Sequence, residues 1–283
     1  MVERRSRAAW FPHAVLLAGV LVFAFPIYTA LIGSTHDAGT IGRGALPLTP
    51  GEHAVENYTQ AWTQGSGQRV KASPVVRMMA NSFVMAVVIA VGKIAVSLLS
   101  AYAVVFFLFP LRMFFFWMIF ITLMLPVEVR IIPSFKVVSD LHLINTFGGL
   151  TIPLIASATA TLLFRQFFMT IPDELVEAAK IDGAGPLRFF RHILLPLSRT
   201  NIAALFVILF LYGWNQYLWP ILITTRYDMQ TIVIGIKKMI VTADALTEWN
   251  VVMATAMLAM LPPVAVVILM QRWFVKGLVE TEK

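Results

Sequence analysis

Pro172-Asp173-Glu174-Leu175-Val176-Glu177-Ala178-Ala179-Lys180-Ile181-Asp182-Gly183-Ala184-Gly185-Pro186-Leu187-Arg188-Phe189-Phe190-Arg191-His192-Ile193-Leu194-Leu195-Pro196 lies between two long apolar runs, residues 147–168 and 201–223. Pro172 with Asp173 and Glu174 makes a good helix start, because acidic side chains in a first turn complement the partial positive charge of a helix N-terminus. Ala178 and Ala179 then form a small-residue patch that lets another surface approach closely. Gly183 permits a sharp turn, since glycine carries no steric penalty at positive φ. A second amphipathic helix follows, with Leu187, Phe190, Ile193 and Leu194 as its apolar positions, and is expected to end before Pro196. Two short helices hinged at a glycine and held between apolar runs read as a structured loop joining membrane spans.

Outward from this loop the chain is dominated by apolar sequence. Of 283 residues, 59% are hydrophobic and 13% charged, against about 25% charged in an ordinary soluble domain. The mean hydropathy is +0.80. A bilayer core about 30 Å thick takes about 20 apolar residues per helical crossing, and the runs are predicted to supply six crossings, at about 13–33, 81–109, 113–132, 147–168, 201–223 and 251–270. The fold class is therefore an all-α integral membrane protein of six transmembrane helices, with residues 1–12 and 272–283 as tails and 13–271 as one transmembrane domain. Pro26 is a candidate kink in the first span. The polar stretch 34–76 reads as an exposed loop with one short helix near 57–64, and Pro110-Leu111-Arg112 as a tight turn between antiparallel spans 2 and 3. Asn81 and Asn201, at span starts, are expected to cap helices.

Arg4, Arg5 and Arg7 before the first run could belong to a secretory signal, but a signal core of about 7 to 15 residues is shorter than this run. An uncleaved first helix is expected. The N-terminal arginines and the basic 110–112 turn orient both termini, and the 169–200 loop, toward the cytoplasm. The net charge of +7 is scattered between apolar runs and lacks the clustered basic face that nucleic acid demands, so its use is orientation in membrane lipid.

Ionisable groups at membrane depth are costly, and each is a candidate for function. Lys93 lies mid-span, where it either attracts an anionic solute or pairs with a carboxylate or carbonyl of a neighbouring helix. Glu128 and Arg130, between Pro126 and Pro133, either line a cavity with irregular backbone or form an interfacial ion pair. Trp214, Asn215 and Gln216, within Tyr212–Pro220, are interface anchors or polar contacts for a passing solute. Cysteine is absent, which excludes disulfides, thiolate metal sites and cysteine nucleophiles; no metal site or catalytic set is expected. A G-x-x-x-x-G-K-[ST] phosphate loop is also missing, Gly92-Lys93 being followed by Ile94 within a span, so any nucleotide must bind elsewhere.

Glu177-Ala178-Ala179, Gly183, Ile193, Leu195 and Pro196 match the E-A-A-x3-G-x9-I-x-L-P signature of bacterial ABC importer permeases at every fixed position and both spacings. Beyond the loop, the runs 114–130, 156–161, 164–170, 212–220 and 270–272 resemble the maltose-type carbohydrate-uptake permeases, and within them the glycerol-phosphate branch. The resemblance implies an ABC importer type I permease fold in the bacterial inner membrane. It also implies that Glu177, Ala178, Ala179, Asp182, Gly183, Ala184, Ile193, Leu195 and Pro196 form the ATPase-coupling loop. The partners it implies are a paralogous permease forming a heterodimer, two ATPase subunits that bind the ATP and Mg, and a periplasmic substrate-binding protein. The cargo it implies is sn-glycerol 3-phosphate, with glycerophosphodiesters as further candidates; this chain would be non-catalytic and hold no cofactor. A permease for a neutral sugar is the alternative within this machinery, and an ion-gradient-driven secondary transporter the alternative outside it.

Overall fold

The computed structural model describes residues 10–44, 47–65, 73–122, 127–240 and 247–279, with the side chains of 127–128 and 273–279 also outside the description. Arg4, Arg5, Arg7 and Pro126, and the side chain of Glu128, therefore lie outside the described residues. All regular structure among the described residues is helical: α1 (Trp10–Gly33), α2 (Ala38–Gly42), α3 (Ala54–Gln64), α4 (Val75–Phe106), α5 (Arg112–Ile121), α6 (Val127–Asp140), α7 (Phe147–Thr151), α8 (Ala158–Phe168), α9 (Asp173–Ile181), α10 (Pro186–Phe189), α11 (Leu195–Leu197), α12 (Arg199–Trp214), α13 (Leu218–Ile223), α14 (Ile232–Met239) and α15 (Trp249–Val279). The chain packs as two compact units, residues 1–78 with 235–261, and residues 79–234 with 262–283.

Three of the expected spans are single long helices, α1, α4 and α15, with mean hydropathies of 2.4, 2.3 and 2.3 over their most apolar stretches. In α1 only Ile32 and Gly33 are buried, and its remaining apolar side chains face outward on all sides. Such a helix belongs in lipid, where apolar surface needs no protein cover. Pro26 lies inside α1, which runs unbroken past it.

Expected spans 4 and 5 are not continuous. Span 4 divides into α7, extended by a 3₁₀ turn over Ile152–Leu154, and α8, with a bend of 49°. Ser157 caps α8 by accepting from the Ala160 amide at 3.3 Å. Span 5 stops at Asn215–Tyr217 and restarts as α13. Pro220 explains the break: it has no amide hydrogen, and in a continuous helix its ring would strike the carbonyl four residues earlier, that of Gln216. The stretch read as span 3 holds α5 and the start of α6, with 123–126 between them outside the description. Asn81 lies within α4, and Asn201 is the third residue of α12, whose cap position is held by Ser198, so neither is a cap. Asn81 instead donates through Nδ2 to the carbonyls of Asp228 (2.9 Å) and Gln230 (3.0 Å).

In the first unit the 34–76 loop is more ordered than expected. Asp37 caps α2, accepting from the Thr40 amide at 2.9 Å and from the Thr40 hydroxyl, and these bonds hold its carboxyl down at about 2. Buried Asn57 donates to the carbonyls of Ser34 and His36, each at 2.8 Å, and accepts from Asn250 at 2.7 Å.

The core of the second unit gathers Met85 and Ile89 of α4, Val138 of α6, Leu150 and Leu154 of span 4, and Trp219 and Ile223 of α13. Trp219 donates from its indole to the Gly149 carbonyl at 3.0 Å, so the two broken spans are pinned to each other. α4 and α12 approach so closely that a Cβ placed on Gly213 would sit 2.8 Å from the Ala86 Cα. Only glycine fits there.

Candidate functional site

The elbow between spans 4 and 5 starts at α9, with Asp173 and Glu174 in the first turn and Lys180 in the last, a charge order that suits the helix dipole. Its end is closed by a Schellman arrangement. The Ala184 amide donates to the Ala179 carbonyl at 2.9 Å and the Gly183 amide to the Lys180 carbonyl at 3.0 Å, while Gly183 takes φ +71°. Nothing lies within 4 Å of where a Gly183 Cβ would be, so the demand for glycine here is conformational rather than steric. Glu177, Ala178 and Asp182 are exposed, as are Ile181 and Leu187, which at 86% and 78% exposure leave two large apolar side chains beside the turn. Ala179 is buried, so the small-residue patch read from the sequence is reduced to Ala178 on the outside.

After the turn the helix does not end before Pro196. It runs from α10 through a π-helical segment, Phe190–Leu194, into α11, which contains Pro196, and then bends by 71° into α12. The wider π turn shifts the hydrogen-bond ladder just before the proline, whose missing amide would otherwise interrupt it. The face that packs inward also differs from expectation: Phe189 and Leu194 are buried, Phe190, Ile193, Leu195 and Pro196 are half-buried, and Leu187 points out.

An aromatic cluster not foreseen in the sequence ties this elbow to the spans. Tyr102, near the end of α4, donates from its hydroxyl to the Pro186 carbonyl at 2.9 Å. Its ring lies 5.1 Å from that of Phe190 and 6.4 Å from that of Phe189. Phe106 lies 5.4 Å from Phe189 and 5.9 Å from Phe168 of α8. Geometry of this kind favours edge and offset contacts worth about 0.5–1.5 kcal/mol per pair beyond area burial. The elbow is thus joined by ring packing to span 2 and to span 4, as well as by the chain to span 5.

The membrane-depth candidates are distributed unevenly. Lys93 is buried in α4, with its Nζ 3.7 Å from the centroid of the Tyr212 ring in α12. Arg130 is exposed on α6, next to Ile131, which packs with Tyr212 against the core of the second unit. Trp214 is buried and stacked on Phe210 at 5.9 Å. Asn215 is exposed at the break of span 5, and half-buried Gln216 donates to the Tyr212 carbonyl at 3.2 Å. Tyr212 was singled out in the sequence only as part of an aromatic stretch; its contact with Lys93 joins residues far apart in the chain.

The description "binding-protein-dependent transport system inner membrane component" belongs to the family model that matches residues 93–280. The chain belongs to this family. As such an inner membrane component it is a multi-pass membrane protein and a permease subunit of an ABC importer, a transport component that works with other parts of its transporter. Curated relatives match it end to end, covering 100% of both chains. The sn-glycerol-3-phosphate transport system permease proteins UgpE of Agrobacterium fabrum, Brucella melitensis and Yersinia pestis are 62%, 61% and 57% identical over 283 residues. Among solved structures, a bacterial ABC transporter involved in the import of the acidic polysaccharide alginate has a chain similar to this one, with a TM-score of 0.81 at 22% identity, covering 97% of this chain and 99% of that one. That likeness shows the type I permease fold.

Proposed function

We propose that this inner membrane component forms half of the translocation path of an ATP-driven importer for sn-glycerol 3-phosphate, with glycerophosphodiesters as further cargo. The carrying observation is end-to-end identity of about 60% with relatives named for that cargo. The other half of the path is a paralogous permease. A periplasmic binding protein delivers the solute, and two ATPase subunits bind ATP and Mg on the cytoplasmic side, where both termini also lie.

The geometry supports a mechanical role for the elbow. Exposed Ile181 and Leu187 flank a turn whose amides at Asp182, Gly183 and Ala184 are all bonded back to α9, which suits insertion into a cleft of another protein. When ATP draws the two ATPase subunits together, a docked elbow would move with them, and Tyr102, Phe106 and the 71° bend would carry that motion into spans 2, 4 and 5. The chain's part is to hold shape and change it; the chemistry of hydrolysis belongs to the partner.

The test is uptake by the complete importer in lipid vesicles supplied with ATP and the binding protein, comparing labelled sn-glycerol 3-phosphate with maltose. Accumulation of the phosphate ester alone is expected. Accumulation of maltose without the ester would assign a neutral sugar to the same machinery.

A further inference from the structure

Lys93 occupies the middle of the 32-residue helix α4 and is only 6% exposed. A buried ammonium normally has a carboxylate or carbonyl partner, because removal from water is costly without one. Among the described residues Lys93 has neither a salt bridge nor a hydrogen bond, and its one close companion is the face of the Tyr212 ring at 3.7 Å. A second cation, Arg130 of α6, directly precedes Ile131, which packs together with Tyr212 against the core cluster that includes Ile89, one helical turn from Lys93. It too forms no ion pair among the described residues. Two cations on neighbouring helices at membrane depth raise the cost further, unless a negative charge visits them.

The backbone beside them is opened for such a visit. α12 stops at Asn215, three residues past Tyr212, and non-helical backbone at membrane depth is tolerated where it is covered by protein or lines a water-filled cavity. Asn215 and Arg130 are exposed, while Lys93 is buried with its Nζ against the Tyr212 ring. The arrangement therefore has one cation on the surface of the chain and one buried against an aromatic face.

We propose that Lys93 and Arg130 form a transient binding station for the phosphate monoester of a passing solute, with Tyr212 holding the lysine between visits. This rests on the glycerol-phosphate reading above and names the group of the cargo that the path recognises. A monoester carries about −1.5 to −2 charge near neutral pH, which two cations balance. Arginine offers a planar fork for phosphate oxygens and lysine a compact point charge. The contact with Tyr212 is weaker than one with phosphate, so the lysine is released when the anion arrives and recaptured when it leaves.

The test uses the complete importer in vesicles with Lys93→Met, Lys93→Arg, Arg130→Gln and Glu128→Gln, measuring ATP-dependent uptake of sn-glycerol 3-phosphate and ATP hydrolysis stimulated by the loaded binding protein. Lys93→Met is expected to lower uptake about tenfold or more, the scale of a lost charged hydrogen bond, with stimulated hydrolysis retained. Lys93→Arg should keep most of the uptake, and Arg130→Gln should show the same split as Lys93→Met to a lesser degree. If Lys93→Met fails to assemble, Arg130→Gln decides: lowered uptake with retained hydrolysis supports the station, and unchanged uptake overturns it. Uptake within twofold of the parent in both Lys93→Met and Arg130→Gln overturns the station while leaving the cargo assignment intact. Failure of the parent complex to take up the ester defeats the cargo assignment itself. Restoration of the Lys93→Met loss by Glu128→Gln would identify a structural ion pair and overturn the proposal. The deficit should be the same in anionic and zwitterionic vesicles; confinement to anionic vesicles would point to a lipid headgroup and overturn the solute station.

Discussion

Gly183 needs only its backbone freedom, since its φ of +71° is accompanied by open space where a side chain would go. An L-residue held in this left-handed region costs about 1–2 kcal/mol, and asparagine is the side chain that tolerates it best. Uptake per ATP hydrolysed by the reconstituted importer should therefore fall in the order Gly, Asn, Ala, Val at position 183; equal ratios for all four would remove the turn from the coupling mechanism. This position was legible in the sequence because a lone glycine between two short amphipathic helices has one ready use. Tyr102 was not legible, because its acceptor at Pro186 is 84 residues away and a tyrosine near the end of a span resembles an ordinary interface anchor. Lys93 stood out as an ionisable residue within a span, but its companions on α12 and α6 depend on long-range packing that local spacing does not encode.

Among the elements, the aromatic clamp is the joint most exposed to mutation. Tyr102→Phe removes one hydrogen bond, worth about 1 kcal/mol, but leaves the rings packed, so coupling should fall modestly. Tyr102→Ala also removes the ring between α4 and the π segment, and large aromatic truncations cost about 3–5 kcal/mol where buried. We expect it to leave stimulated ATP hydrolysis in place while uptake drops about tenfold; parallel loss of both activities would indicate a folding defect instead. The same scale shows what apolar composition conveys and what it omits. Runs 147–168 and 201–223 read as spans from their apolar composition, yet composition carries no information on continuity, and each is bent or broken near a proline, Pro153 or Pro220. Pro196 misled in the opposite direction, since the π turn at Phe190–Leu194 carries the helix past it.

For the whole molecule, the absence of cysteine makes orientation measurable without background. Glu52→Cys in the 34–76 loop and Asp173→Cys at the start of α9, both at exposed positions, should behave oppositely toward a membrane-impermeant maleimide. Glu52→Cys is expected to react in intact spheroplasts and Asp173→Cys only after the membrane is opened; labelling of Asp173→Cys in intact cells would invert the proposed topology. The 71° bend between the elbow and α12 then acquires a further meaning. With 16 residues at about 1.5 Å each, α12 is a rod of roughly 24 Å, and a tilt of about 10° at its root would sweep its far end, where the helix breaks at Asn215, through about 4 Å. A solute gate at that tip would thus have leverage: a small rotation in the cytosol is enlarged to about the size of a water molecule or more at the opposite end.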